Sequence, residues 1–412
     1  LSSSPDIIEQ RTRLPREMRR KLFANSGKVY VLAFFQMFLV ILPIVVPFFQ
    51  SKGLSMQEFF ILQALFGAVI VIGEVPSGYL ADLLGRRATL IAGGLIYGIG
   101  HSLLFFAEGF WWLAGFEFCL GVGTSLISGS DIAMLYDTRR LLGASPTSQQ
   151  RSVGNLFFVR SVSEASSAFL CGLLLLLWSM DAVVACQVVV GWLPFVIALF
   201  VVEPPVERLI AQNHWENFRQ IGRLLLFESR LMRLILLSLA FWGLATFYAF
   251  WLLQKYWENI GIPLTWFGYL WACYVVIAGL SGRYADRIEK LLGPSMMLMV
   301  IGILPVLGYL GMSLIDNLIS LVFATFFFLA RGVGQVALQS ALNHRVPGIY
   351  RATANSLASL GFRAGFVITG PIVGWVLDIW GMQTVLWLAG GYALLVLLFI
   401  LLPLALTVAA FR

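Results

Sequence analysis

Twelve apolar runs, each about 20 residues or longer, succeed one another along this chain, and no other feature constrains its fold so strongly. They lie at 28–50, 56–83, 88–107, 111–137, 151–177 and 182–202, then at 231–256, 264–286, 294–314, 317–344, 351–378 and 383–411. At a rise of about 1.5 Å per residue, a helix of that length covers the hydrocarbon core of a bilayer. Lipid offers the backbone no hydrogen-bond partners, so each run must satisfy its own as a helix. Charged residues make up only 12% of the chain, about half the share of a soluble domain. The expected fold is an all-α polytopic membrane protein with twelve transmembrane helices, called spans 1–12 below.

Charge placement orients them. Of the 28 lysines and arginines, 23 fall in the N-terminal segment, in loops 2–3, 4–5, 6–7, 8–9 and 10–11, and at Arg412. That one-sidedness predicts both termini in the cytoplasm, and the plasma membrane of a bacterium is the expected location. Residues 1–27 read as a cytoplasmic tail without the layout of a signal peptide. Their cluster of Arg11, Arg13, Arg16, Arg19, Arg20 and Lys21 suits anionic lipid headgroups. The formal net charge of +7 therefore points to membrane lipids and not to nucleic acid. Residues 203–230, opening with Glu203-Pro204-Pro205, read as a cytoplasmic linker between bundles at 28–202 and 231–412. The four cysteines sit in apolar runs and the three histidines are scattered, so no disulfide, metal site or cofactor is expected. No G-x-x-x-x-G-K-[ST] phosphate loop occurs, which argues against an ATP-driven pump; enzymatic chemistry is not expected.

The two halves repeat each other. Gly78-Tyr-Leu-Ala-Asp82 returns about 200 residues later as Gly282-Arg-Tyr-Ala-Asp286. Arg151 and Asn155 open span 5 as Arg351 and Asn355 open span 11, and Gly121-Val-Gly123 has a counterpart in Gly332-Val-Gly334. Between spans 2 and 3, Gly78, Asp82, Gly85, Arg86 and Arg87 form a short basic hairpin. Its small residues are expected to let two helices approach closely. The spacing G-x-x-x-D-x-x-G-R-R resembles the loop 2–3 signature of the major facilitator superfamily of secondary transporters. The resemblance covers residues 28–411 and implies two pseudo-symmetric six-helix bundles with a substrate site near the midplane. It also implies that an acid ending span 4, here Asp137, pairs with Arg86 or Arg87 as a gate lock, with a weaker counterpart around Asp286. Drug-exporting members carry motifs in spans 4 and 5 where this chain has Phe118-Cys-Leu-Gly-Val-Gly-Thr124 and Cys171-Gly-Leu-Leu.

Ionisable groups inside spans are costly and mark function or pairing. Glu74 of span 2 and Arg160 of span 5 lie at equal depth, about 15 Å from the cytoplasmic end. They are candidates for a fixed ion pair or for a proton-exchanging one. Arg160 and Glu164 are also i,i+4 neighbours that could satisfy each other. Asp131 in span 4 reads as shallower and Glu117 as near the outer face. Arg331 and Arg363 lie near mid-depth in spans 10 and 11, with no acid of those spans at their level. They could bind backbone carbonyls or Glu164, or they could line a site for an anion together with Lys255 near the outer mouth.

The expectation is a monomeric secondary transporter that moves a small organic anion or zwitterion, amphiphilic or chelating in kind. Arg331, Arg363, Glu164 and Lys255 would bind the substrate, and protons would couple through Glu74, Glu164, Asp131 and Arg160. The alternative is a proton-coupled exporter of lipophilic drugs. A receptor or scaffold without transport is a third class, and proteoliposome flux separates it from both.

Overall fold

The computed structural model describes residues 15–205, 229–346 and 351–410. Half of the expected tail, most of the expected linker and the side chain of Asp82 lie outside that description. All regular elements among the described residues are helices. Span 1 is Arg16–Met37 with a second piece, Val45–Ser51, and spans 2 to 5 are Met56–Leu84, Arg86–Phe105, Phe110–Leu141 and Pro146–Leu177. Span 6 is broken before Pro194 into Met180–Gly191 and Leu193–Phe200. Span 7 joins Arg230–Leu237 to Gly243–Asn259 through a π turn, and spans 8 to 10 are Phe267–Arg283, Pro294–Leu314 and Ser320–Arg345.

Among the described residues, eleven helical stretches are long and apolar enough to cross a membrane. The last of them, Ala354–Ala410, has 57 residues. It would be about 85 Å long if straight, nearly three bilayer cores. Gly381 breaks it with φ 77°, a left-handed value that glycine adopts without a Cβ penalty. The stretch is therefore spans 11 and 12, and the count is twelve.

The chain divides into two compact units, Leu1–Leu42 with Val69–Gln212, and Pro43–Ala68 with Asn213–Arg412. In the first, the apolar faces of spans 1, 3, 4, 5 and 6 meet at Val29, Leu32, Leu90, Tyr97, Ile127, Met134, Leu156 and Ala198. Spans 3 and 4 approach closely because both are glycine there. A Cβ on Gly123 would stand 2.9 Å from the Gly93 carbonyl oxygen. The helix of span 1 begins at Arg16, so the polar residues expected to form the end of a separate tail continue the span. Asn25 explains why: its amide donates to the Val202 carbonyl at 2.7 Å and accepts from the Val202 N–H at 2.9 Å.

Residues 43–68 were expected within the first bundle, yet they pack with the second unit. Their polar contacts give the reason. Ser55 and Glu58 form a reciprocal capping box at the start of span 2, with bonds of 2.9 and 3.1 Å. The next two free N–H groups, of Met56 and Gln57, donate to the Asp378 carboxylate of span 11 at 3.0 and 2.7 Å. Val46 N–H donates to the Gln254 side chain of span 7 at 2.9 Å. The rings of Phe49, Phe59 and Trp251 complete the seam.

Candidate functional site

The hairpin between spans 2 and 3 is held by more than its own residues. Gly85 turns the chain with φ 98°, which aims the first N–H groups of span 3 outward. Those of Arg86 and Arg87 donate to the two carboxylate oxygens of Glu203, at 3.0 and 2.6 Å. The Arg86 guanidinium pairs with Asp137 and donates to the Ala133 carbonyl, while that of Arg87 reaches the Leu199 carbonyl at 3.0 Å. The ends of spans 3, 4 and 6 on the side of this hairpin are thus tied at one place. The expected close approach at Gly78 is absent, since a Cβ there would meet nothing within 4 Å. Asp286 is exposed in the first turn of a separate short helix, Ala285–Leu292.

Glu203 escaped the sequence reading because it opens a Pro-rich stretch that looks like linker. Its carboxylate neutralises a helix N-terminus and satisfies two orphan donors. Glu203→Ala is expected to lower stability by about 1–2 kcal/mol, whereas Glu203→Gln should retain part of the cap. Thermal unfolding of the two variants in one detergent checks this; equal melting points would show that the contact contributes nothing.

Deeper in the first unit, the equal-depth pairing of Glu74 with Arg160 gives way to another. Arg160 donates to Asp131 at 2.6 Å, and Asp131 is fully buried. The second Asp131 oxygen accepts the Ile132 N–H at 2.6 Å. Arg160 also reaches the Gln36 side chain at 3.4 Å, and the Gln36 carbonyl accepts the Tyr97 hydroxyl at 2.6 Å. Glu74 is exposed and Glu164 half-buried. The correction has a simple cause. Span 4 runs on to Leu141 and span 5 starts at Pro146, so Asp131 and Arg160 both lie four or five residues deeper than expected, and which helix faces meet, not depth, selects Asp131 over Glu74. Gln36 was missed, although a lone amide in an apolar run was the available signal.

In the second unit, the Arg331 guanidinium stands over the Phe247 ring, 5.6 Å from its centroid. Phe247 is half-buried and sits 5.2 Å from Phe362 and 5.1 Å from Phe366, the two rings that flank Arg363 along span 11. Arg363 itself donates from Nε to Ser359, one turn away, at 3.2 Å. Spans 7, 10 and 11 therefore meet at one aromatic cluster, with the Arg331 guanidinium on its Phe247 ring and Arg363 on the segment of span 11 that supplies Phe362 and Phe366. Lys255 does not join them. Its ammonium is held by Glu258 at 2.9 Å and by the Gln50 side chain at 3.0 Å. An ammonium so occupied, beside an acid, serves the seam of residues 43–68 better than an anion.

Comparisons with known proteins agree with this architecture. The crystal structure of the nucleoside transporter NupG superposes with a TM-score of 0.73 at 13% identity, covering 93% of this chain and 98% of that one. The peptide transporter POT gives 0.68 at 16% identity over 99% of both chains. A bacterial homologue of the human lysosomal transporter Spinster gives 0.63 at 16% identity over 95% of both. At such identities the likeness is one of fold. No curated protein matches the sequence. The sequence profile of the Major Facilitator Superfamily matches residues 29–348, and with twelve spans in place and that profile covering most of its length, the chain belongs to the Major Facilitator Superfamily.

Proposed function

We propose that the protein is a secondary active transporter that moves a small organic anion or zwitterion, amphiphilic or chelating in kind, by alternating access. It works as a monomer in the bacterial inner membrane with both termini in the cytoplasm, and protons drive it. The observation that carries the substrate class is the Arg331 guanidinium on the aromatic cluster of the second unit, with Arg363 on the segment of span 11 that supplies two of its rings. Guanidinium in a site of low water content offers a planar fork of donors to a carboxylate or phosphate. The buried Asp131–Arg160 pair supports the coupling reading. A carboxylate that gains a proton would release its arginine, and the released arginine can take a new partner.

Losing Arg363 should weaken anion binding by about ten- to a hundred-fold, the value of one charge-assisted hydrogen bond. Arg363→Lys keeps the charge without the fork and should recover only part of the loss. The test compares wild type, Arg363→Lys and Arg363→Ala for thermal stabilisation by a panel of organic anions, with tetraphenylphosphonium as the lipophilic cation. Equal anion affinity in all three folded proteins would remove the anion site. The second reading, proton-coupled export of lipophilic drugs, draws on the same aromatic wall. It expects tetraphenylphosphonium to bind better once Arg363 is gone.

A further inference from the structure

Four aromatic rings surround Phe247 in a way that a merely greasy wall would not need. Phe250 lies nearly parallel to Phe247, at 14° and 5.8 Å. Trp251, Phe362 and Phe366 meet Phe247 edge-on, at 5.8, 5.2 and 5.1 Å. Arg331 covers it with positive charge. Beside this group, the indole N–H of Trp251 is buried and has no hydrogen-bond acceptor among the described residues. A buried donor without an acceptor is uncommon in a native protein, and it asks for a partner. Trp251 is also one helical turn from Phe247, so its indole and the Arg331 guanidinium flank the same ring.

We infer that this cluster is the ring-binding part of the substrate site, and that the substrate is an aromatic carboxylate. Its ring packs on Phe247 and Phe250, its charge is held by Arg331, and the Trp251 N–H donates to one of its oxygens. The inference rests on the organic-anion reading and narrows it. Phe247 and Phe250 are half-buried, so they are the surface a ligand meets first. A shift of these two rings brings the covered indole donor to it. Aromatic contacts favour a flat ring over a puckered saturated one because the ring quadrupole has a preferred edge and face.

The experiment uses the full chain in detergent and two probes matched in size and charge, benzoate and cyclohexanecarboxylate, with tetraphenylphosphonium as a third. Calorimetric titration of wild type should give benzoate about tenfold tighter than its saturated partner. Trp251→Phe keeps a ring and removes the donor, together with part of the packing against Phe59 and Phe250, so the melting point of the ligand-free protein falls. In protein that remains folded and monodisperse, benzoate should bind about tenfold more weakly. Arg331→Gln should abolish binding of both carboxylates. Equal affinity for benzoate and cyclohexanecarboxylate would overturn the ring preference while leaving the anion reading intact. Wild-type benzoate affinity in Trp251→Phe would overturn the donor role. Binding of tetraphenylphosphonium alone, or of no probe at millimolar concentration, would count against the inference; the first of these also removes the anion reading.

Discussion

Asp131→Ala is expected to destabilise the protein by about 3–5 kcal/mol, because it strands a guanidinium that the fold has taken out of water. Asp131 is fully buried, and its Oδ2 lies 2.6 Å from Arg160. The guanidinium also meets the Gln36 side chain at 3.4 Å and the Phe157 ring at 5.8 Å, and neither a neutral amide nor a ring can replace a carboxylate. The double variant Asp131→Leu/Arg160→Met should recover much of the loss, since a matched apolar pair carries no desolvation penalty. Thermal unfolding in one detergent gives the order: wild type, then double variant, then Asp131→Ala. Asp131→Asn adds the functional readout. It keeps the shape and the hydrogen bond to Ile132 but cannot exchange a proton. In proteoliposomes it should lose accumulation driven by a proton gradient and retain substrate exchange. Intact uphill transport in Asp131→Asn would make the pair a structural one, whatever its stability.

Gly332→Val is expected to be the other large loss, by a purely steric route. At Gly332, span 10 lies on span 8 so closely that a Cβ would overlap the Ser281 hydroxyl and the Ala278 carbonyl oxygen, and would stand 3.0 Å from the Ala278 carbonyl carbon. The hydroxyl can turn aside, although it donates to that same carbonyl at 3.0 Å. The carbonyl belongs to a helix backbone and cannot. The two spans must part, which loosens packing along the interface and costs roughly 1–3 kcal/mol, or more when the backbone has to move. Gly332→Ala should show the first part of that loss, and Gly332→Val should leave little monodisperse protein. Gly129→Ala is the control, because a Cβ there meets nothing within 4 Å. Helix-interior alanine should leave it unchanged or stabilise it by about 0.5–1 kcal/mol. A Gly332→Val protein with wild-type melting would show that this interface yields at no cost.

The glycine pairs also show how a true repeat can mislead in detail. Gly121-Val-Gly123 and Gly332-Val-Gly334 occupy matching spans, yet Gly123 packs on span 3. Gly332 packs on span 8, and Gly334 leaves room for the ring of Trp242. The indole of Trp242 in turn donates to Ile301 in span 9 at 3.0 Å. Repetition in sequence marks which helices correspond. It does not say which neighbour each corresponding face meets.

What the sequence determined by itself is whatever can be read along the chain axis. Twelve runs of bilayer length, the one-sided lysines and arginines and the Gly85-Arg86-Arg87 hairpin follow from local composition and a fixed rise per residue. The Arg86–Asp137 contact was within reach through the resemblance of the loop 2–3 signature to a known family, which implied Asp137 as the partner of Arg86 or Arg87. What only the tertiary structure decided is direction around each helix axis. Arg160 turned to Asp131 and not to Glu74, Lys255 to Glu258 and Gln50, and residues 43–68 to Gln254 and Asp378. Depth is a sum over residues, and it moved together for Asp131 and Arg160 when span 4 ran on to Leu141 and span 5 began at Pro146. Azimuth is set by which faces pack together, and that depends on every span at once.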